Sequence, residues 1–87
     1  MRKIVVHRRA ANYLRRLPDH HKTKIKAELE KLKESPFNMD KIRKMHGEWA
    51  GYHRMRIGDF RVIFLHDEEN DMIYVDHIGP RGDIYKR

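Results

Sequence analysis

The sequence contains no cysteine, which excludes disulfide bonds, thiolate catalysis and zinc sites with cysteine ligands. No apolar run approaches the length of a membrane span, and the start Met1-Arg2-Lys3-Ile4 lacks the apolar segment of a signal peptide. At 87 residues the chain is long enough for one modest core but not for two. We therefore expect one domain over residues 1–87, soluble and cytoplasmic, with no membrane partner.

Acidic residues are scarce in the first half of the chain. Residues 1–50 hold 14 Lys and Arg against 6 Asp and Glu, a net charge of +8, whereas residues 51–87 hold 6 against 7, a net charge of −1. The whole chain carries +7. Basic surface is therefore concentrated in the first half, and a polyanion such as a nucleic acid is the partner that this distribution favours.

The first third of the chain predicts one strand and two helices. Residues 3–7 form a short apolar run typical of a strand. Pro18 separates two segments with helical spacing, and Ser35-Pro36 ends the second. The apolar stripes of these helices are Ala10, Tyr13, Leu14 and Leu17 in the first, and Ile25, Leu29 and Leu32 in the second. Joined by so short a link, the helices should form an antiparallel hairpin on one face of a sheet.

Residues 36–50 have neither a helical nor a strand period, so we predict a loop there, with Ile42 and Met45 as apolar anchors. The acidic turn 66–71 and a strand over 72–78 follow later in the chain. The expected fold is α+β in the order β-α-α-β-β-β, with a two-helix hairpin packed on one face of a mainly antiparallel four-stranded sheet.

The stretch Gly51 to Phe64 organises the rest of the chain. Two alternating runs flank Gly58-Asp59, and glycine in the first central position suits a two-residue type II′ hairpin turn. That loop length fixes the register, which pairs Ile57 with Phe60 and each following position in turn. The predicted core face then carries these residues: His53, Met55, Ile57, Phe60, Val62 and Phe64.

The opposite face of this hairpin carries Arg54, Arg56 and Arg61, together with Tyr52 and Ile63. Arg56 and Arg61 should lie directly opposite each other, an arrangement that destabilises a sheet. Three guanidinium groups on one small patch indicate that an anion compensates the charge.

This hairpin and the later Ile78-Gly79-Pro80-Arg81-Gly82-Asp83-Ile84-Tyr85 resemble the RelE/ParE toxin superfamily, its RelE branch in particular. The resemblance covers essentially the whole chain. It implies a type II toxin–antitoxin toxin that enters the decoding site of the ribosome and cuts messenger RNA. It also implies a cognate antitoxin protein as partner, ribosomal RNA and mRNA as further partners, and no metal and no small-molecule cofactor.

The resemblance also implies site residues. Arg54 and Arg56 look like the paired basic residues of the family's first hairpin strand, and Arg61 like the arginine of the second. Arg81 and Tyr85 match the arginine after the last strand and the aromatic residue of the tail. One departure is Pro80, which stands where many members have a histidine, so acid–base chemistry must fall to other groups.

Chemical roles follow from these residue types. RNA cleavage by attack of the adjacent 2′-hydroxyl builds negative charge on phosphate oxygens, and arginine meets phosphate with two parallel hydrogen bonds. We assign Arg61 and Arg81 to the scissile phosphate, Tyr85 to the 2′-hydroxyl as general base, and Arg54 or Arg56 to the leaving 5′-oxygen. His77 is kept as a substitute proton-transfer group, and His53 is interpreted as a semi-buried core residue.

Two further surfaces enter the prediction. A lysine-rich helical face would follow ribosomal RNA; its members are Lys22, Lys24, Lys26, Lys31 and Lys33. The antitoxin should need an apolar strip outside the toxin's own core, for which Ile63, Leu65 and the helix surface near Tyr13 are candidates.

Two other functions remain open. One is a ParE-like toxin that inhibits DNA gyrase and cuts nothing, and the other is a non-catalytic RNA-binding relative, which the Pro80 departure favours.

Overall fold

The structure is a computed structural model, and it describes residues 2–34 and 41–80. Its elements in chain order are β1 Lys3–Val6, α1 Arg8–Arg15, α2 Asp19–Glu34, β2 Ile42–Lys44, a 3₁₀ turn Gly47–Trp49, β3 Tyr52–Ile57, β4 Phe60–Asp67 and β5 Met72–Pro80. The predicted α+β class is confirmed. In the described part of the chain, neither helix is long and apolar enough to cross a membrane.

All strands join one mixed sheet in the order β1-β5-β4-β3-β2. β1 runs parallel to β5, and every other neighbouring pair is antiparallel. A parallel pair needs a crossover connection, and here the chain leaves β1 through both helices before it returns to the sheet. The helices α1 and α2 consequently cover one face of the sheet, as predicted, and no α-helix of the described residues lies on the other face.

The predicted hairpin register is confirmed. Ile57 pairs with Phe60, Arg56 with Arg61, and the ladder continues to Tyr52 opposite Leu65. The φ angle of Gly58 is +57°, whereas the φ angle of Asp59 is not positive. A positive φ at the first central residue alone is the backbone of a type II′ turn. The turn therefore sets which side chains of β3 and β4 reach the core.

The core lies between the helices and the sheet. Its buried members are Ala10, Leu14, Ile25, Leu29, Leu32, Met55, Ile57, Val62, Phe64, Ile73, Val75 and Ile78. Each large aliphatic or aromatic side chain that leaves water completely contributes about 1.5–3 kcal/mol. Of the six hairpin residues predicted for the core, four are buried in it and Phe60 packs against it. The sixth, His53, is half-buried.

The prediction of a loop over 36–50 was wrong at 42–44, so the sheet has five strands rather than four. β2 is a three-residue edge strand whose residues pair with Met55, Arg54 and His53 of β3. So short a strand cannot display a period of two, and its pairing is set by tertiary contacts instead. Both predicted anchors are confirmed, since Ile42 packs against the core and Met45 is buried.

β5 also extends further than expected. The predicted end of this strand at residue 78 was wrong, because Gly79 pairs with Arg61 and Pro80 with Phe60. Proline is tolerated at the end of a strand, where its missing N–H interrupts little of the ladder. Ser35, Pro36, Arg81 and Tyr85, to which the sequence assigned roles, lie outside the described residues.

Glu28 of α2 is the one charged side chain among the buried residues of the described chain. Its carboxylate accepts hydrogen bonds from Nζ of Lys41 at 2.9 Å and from Nζ of Lys31 at 3.2 Å. Burial acts to raise the pKa of Glu28, but the hydrogen bonds and charges of Lys41 and Lys31 outweigh it, so the pKa lies below its ordinary value. The contact ties α2 to the residue that precedes the edge strand β2.

Replacing Glu28 by Gln should lower the free energy of unfolding at neutral pH by about 1–3 kcal/mol, because two charge-assisted hydrogen bonds lose their anion. A carboxylate whose pKa is lower in the folded state than in the unfolded state stabilises the fold at every pH above its unfolded-state pKa. This stabilisation is lost as the pH falls through the folded-state pKa. The difference between wild type and E28Q should therefore shrink below about pH 4 in urea unfolding curves.

Glu30→Gln is the matched control, because Glu30 pairs with Lys33 on the same helix but its side chain is 68% exposed. E30Q should change stability by less than about 0.5 kcal/mol. An equal loss in both variants would mean that the buried contact of Glu28 has no special weight.

Candidate nucleic-acid interface

The face of the sheet opposite the helices, here called the open face, carries the alternate side chains of every strand. On β3 and β4 these alternate positions include Arg54, Arg56 and Arg61, because their neighbours Met55 and Val62 are buried under the helices. The predicted separation of arginine face and core face is thus confirmed.

Five cations form a basic cluster: Arg43, Arg54, Arg56 and Arg61 of the open face, and Lys41 at its edge, whose Nζ reaches Glu28 of α2. They line a depression of about 220 Å³. Strand register places them in two rows, since Arg43 is paired with Arg54, and Arg56 is paired with Arg61. The peptide N–H of Arg56 donates to the carbonyl of Lys41, which puts Lys41 at the end of the second row.

Sequence reasoning found the three arginines of the hairpin but missed Lys41 and Arg43. The signal was the alternation Lys41-Ile42-Arg43, with an apolar residue between two cations. It was too short to distinguish from a loop, and only the pairing of β2 with β3 brings these cations to the same face.

The carboxylate contacts of the cluster differ from one cation to the next. Lys41 reaches Glu28, but within residues 2–34 and 41–80 no carboxylate lies within 4 Å of the guanidinium groups of Arg43 or Arg56. Like charges directly across a sheet are destabilising by a few tenths of a kcal/mol. The arrangement is suited to an anion with several oxygens, such as a phosphate, which arginine contacts through paired N–H groups.

β5 ends beside this cluster. Gly79 is the register partner of Arg61, and Pro80 is the last residue of the strand. Arg81 and Tyr85, the two other predicted catalytic residues, follow Pro80 in sequence and lie outside the described residues. Their roles remain predictions.

The five predicted RNA-binding lysines belong to α2, in the layer on the other side of the sheet from the basic cluster. Three of them have carboxylate partners on the same helix, namely Lys22, Lys31 and Lys33. Nζ of Lys24 lies near Gly58 at the hairpin tip, and Lys26 is exposed. The lysine face therefore meets the basic cluster at one point, where Lys31 and Lys41 both contact Glu28.

The two histidines considered earlier have different surroundings. His53 stacks on Phe64 with ring centroids 5.6 Å apart, on the helix side of the hairpin. Burial lowers the pKa of His53 below its ordinary value, and electrostatic interactions with Lys44 and His66 lower it further. Nδ1 of His77 lies 2.7 Å from Oδ2 of Asp76, next to a bulge where β5 carries one residue more than β4.

An aromatic group continues the open face beyond Arg54. Trp49 makes edge-to-face contacts with Tyr52 at 5.3 Å and with His77 at 5.2 Å, measured between ring centroids. Trp49 also lines a cavity of about 710 Å³ whose wall includes Arg43 and Arg54 of the basic cluster. The sequence had left the position of this tryptophan undetermined.

Ile63 was predicted to contribute to an exposed apolar strip, and that prediction was wrong, because Ile63 is fully buried. Leu65, two residues further along β4, is instead part of an apolar row that crosses four strands. The row consists of Val5, Tyr74, Leu65 and Tyr52, which are consecutive register partners on β1, β5, β4 and β3. They line a cavity of about 380 Å³, and Val5 is 42% exposed.

Comparisons with known proteins agree with the fold. The protein-family model described as the ParE toxin of the type II toxin–antitoxin system, parDE, matches residues 4–85. No curated protein sequence is similar enough to count as a match.

Solved structures with the same fold include the archaeal RelE–RelB complex from Pyrococcus horikoshii OT3, with a TM-score of 0.81, 25% identity, and coverage of 94% of this chain and 97% of that one. The YoeB/ParE toxin from Agrobacterium tumefaciens aligns with a TM-score of 0.79 and 20% identity, over 91% of this chain and 98% of that one. The isolated RelE toxin from E. coli aligns with a TM-score of 0.76 and 18% identity, over 92% and 84% of the two chains.

The repulsion within the basic cluster can be measured. Arg56→Gln should raise the free energy of unfolding by a few tenths of a kcal/mol at low salt, because it removes one of two guanidinium groups that face each other across β3 and β4. The gain should disappear at high salt, where the charges are screened. Urea unfolding at two salt concentrations is the measurement.

Arg16→Gln serves as the control, since Arg16 is an exposed arginine at the end of α1, outside the cluster. It should leave stability unchanged at both salt concentrations. A loss of stability in R56Q at low salt would contradict the inference that Arg56 and Arg61 repel each other across β3 and β4.

Proposed function

Because the chain belongs to the ParE toxin family of type II toxin–antitoxin systems, within the RelE/ParE superfamily, we propose that it acts as a ribosome-dependent endoribonuclease that cleaves messenger RNA in the decoding site. The observation that carries this proposal is the basic cluster, five cations that line one depression of about 220 Å³. A toxin that cuts RNA needs such a set of fixed cations, because cleavage builds negative charge on the scissile phosphate.

The proposed reaction is attack of the 2′-hydroxyl on the neighbouring phosphorus. The 2′-O–P bond forms, the bond to the 5′-oxygen breaks, and the products are a 2′,3′-cyclic phosphate and a 5′-hydroxyl. Arg61 and Arg81 hold the non-bridging oxygens, and Tyr85 accepts the proton of the 2′-hydroxyl. Arg54 or Arg56 donates a proton to the leaving 5′-oxygen, which becomes the 5′-hydroxyl. Cations around a phenol lower its pKa, which makes a tyrosine usable as a base.

The structure adds two groups to this assignment. Lys41 and Arg43 line the same depression as Arg61 and can bind the phosphates on either side of the scissile one. Arg61 is the best supported member of the site, because β4 and its neighbours β3 and β5 hold it between Arg56 and Gly79.

The remaining partners belong to the same proposal. The protein works in the cytoplasm, where the lysine face of α2 contacts ribosomal RNA during entry into the decoding site. It is inhibited by a cognate antitoxin, as solved complexes such as the archaeal RelE–RelB pair suggest for this fold. The apolar row from Val5 to Tyr52, rather than Ile63, supplies the surface for that protein partner.

A second function is favoured by the family match itself. ParE toxins include gyrase inhibitors that are not nucleases, and the matching family is ParE. The same cations could then bind DNA or an acidic protein surface without cleavage. A non-catalytic RNA-binding relative is the third reading, since Pro80 occupies the position where many relatives carry a histidine.

Arg61→Ala and Arg81→Ala should each reduce mRNA cleavage by about 10²–10³-fold, because each removes a donor to the charge that develops on the phosphate. The measurement is the mapping of mRNA breaks in a translating extract with wild type and variants. Arg61→Lys should retain only part of the activity, since lysine keeps the charge but not the paired N–H groups.

Arg16→Ala is the matched control for loss of a positive charge outside the cluster and should cleave like wild type. Thermal unfolding of each variant separates loss of activity from loss of fold. Cleavage by R61A and R81A at the wild-type rate would refute the site assignment, and inhibition of gyrase supercoiling without mRNA breaks would establish the second function instead.

A further inference from the structure

The part of the cavity that Met45, Glu48 and Trp49 line has no role in the cleavage mechanism above. It is the larger neighbour of the basic cluster, with a volume of about 710 Å³, and it shares Arg43 and Arg54 with that cluster. Met45 and Trp49 give it an apolar surface, and Lys44 adds a third cation to its wall. An aromatic plane beside a set of cations is the arrangement with which proteins bind single-stranded nucleic acid.

The indole of Trp49 is held in place before any ligand arrives. Tyr52 of β3 and His77 of β5 contact it edge to face, with interplanar angles of 87° and 85°. Two strands therefore position the ring, and little conformational freedom is left for a ligand to remove.

The backbone that carries Trp49 is also constrained. The 3₁₀ turn begins at Gly47, whose φ is +69°, and the chain reverses again at Gly51 with φ of +95°. The N–H of Ala50 donates to the carbonyl of Gly47 at 3.1 Å. Positive φ favours glycine at both places, so the local sequence is suited to holding one aromatic residue over the open face.

We propose that this cavity binds the base of a nucleotide adjacent to the scissile phosphate, with the base stacked on Trp49 and the flanking phosphate held by Arg43 and Arg54. This inference rests on the proposed endoribonuclease function and names a specificity subsite for it. Arg43 and Arg54 are register partners on neighbouring strands, so one phosphate can contact both. A base has an aromatic face for the indole, and the cations between the two cavities connect it to the reacting phosphate.

Glu48 lines the same cavity. A carboxylate repels the phosphate backbone but accepts hydrogen bonds from the amino groups of bases. Glu48 is therefore better suited to contact the edge of a base than the RNA backbone. Bases with an amino group beside a ring N–H, such as guanine, match a carboxylate with two parallel hydrogen bonds. Selectivity among bases is therefore assigned to Glu48 and affinity to Trp49.

The test uses the intrinsic fluorescence of the protein, because Trp49 is its only tryptophan. The probes are short single-stranded RNA oligonucleotides with 2′-O-methyl groups, which cannot be cleaved by 2′-hydroxyl attack, and abasic oligonucleotides of the same length and charge. Base-bearing oligonucleotides should quench the tryptophan emission and bind about tenfold or more tightly than the abasic ones. An acidic peptide of equal charge is the third probe.

Variants separate stacking from charge. Trp49→Ala should abolish the preference for base-bearing over abasic RNA in an anisotropy assay with labelled oligonucleotides, whereas Trp49→Phe keeps a ring and should retain part of it. The fluorescence titration of the wild type requires no variant. It therefore still tests the inference if W49A does not fold. Equal affinity of the wild type for base-bearing and abasic RNA, or quenching by the acidic peptide alone, would overturn the inference.

Cleavage mapping distinguishes this inference from the proposed function. W49A and Glu48→Gln should still cut mRNA but with an altered distribution of bases beside the cut, while R61A should not cut. If R61A loses cleavage and W49A cuts with the wild-type distribution, the endoribonuclease stands and the base subsite is wrong. If the wild type never cuts but its tryptophan is quenched only by base-bearing RNA, the RNA subsite stands and the endoribonuclease is wrong.

Discussion

The two-residue turn at Gly58-Asp59 is the constraint on which the rest of the structure depends. Because it fixes the register of β3 and β4, it determines at once which residues enter the core and which face away from the helices. A shift by one residue would expose Met55 and Val62 and drive Arg54 and Arg61 under the helices. Core and candidate site are thus two consequences of one backbone geometry.

The balance of energies explains why such a site is tolerated. Each side chain fully buried on the helix side contributes about 1.5–3 kcal/mol, whereas a directly opposed pair of like charges costs only a few tenths. Several large side chains of the hairpin are completely buried, among them Met55, Val62 and Phe64. The core therefore holds the arginines in place at a modest loss of stability.

The sequence predicted the features that local rules decide. Turn length gave the hairpin register, and periodicity gave both helices and the core residues on them. It did not predict β2, because the position of a three-residue edge strand depends on partners distant in sequence, such as Glu28 for Lys41. The burial of Ile63 was missed because it also depends on contacts with distant parts of the chain. Alternation along β4 assigns a residue to one face of the sheet, but it does not say what covers that face.

The same limits apply to the site. Arg54, Arg56 and Arg61 could be grouped from sequence because one hairpin carries them. Arg43 and Lys41 join them only through sheet pairing. The resemblance to toxins contributed Arg81 and Tyr85, which no periodicity could have related to the hairpin. The aromatic contacts of Trp49 unite three separate segments of the chain, so no local pattern pointed to them.

The open face has two chemically different halves, and their arrangement has a consequence for inhibition. The apolar row ends at Tyr52 and the basic cluster begins at Arg54, two residues further along the same strand. A protein bound to the apolar row would consequently lie within reach of the cations, and acidic residues at its border could neutralise them without filling the site. Binding of a protein to the apolar row and binding of RNA to the basic cluster would then affect each other through charge as well as through steric contact.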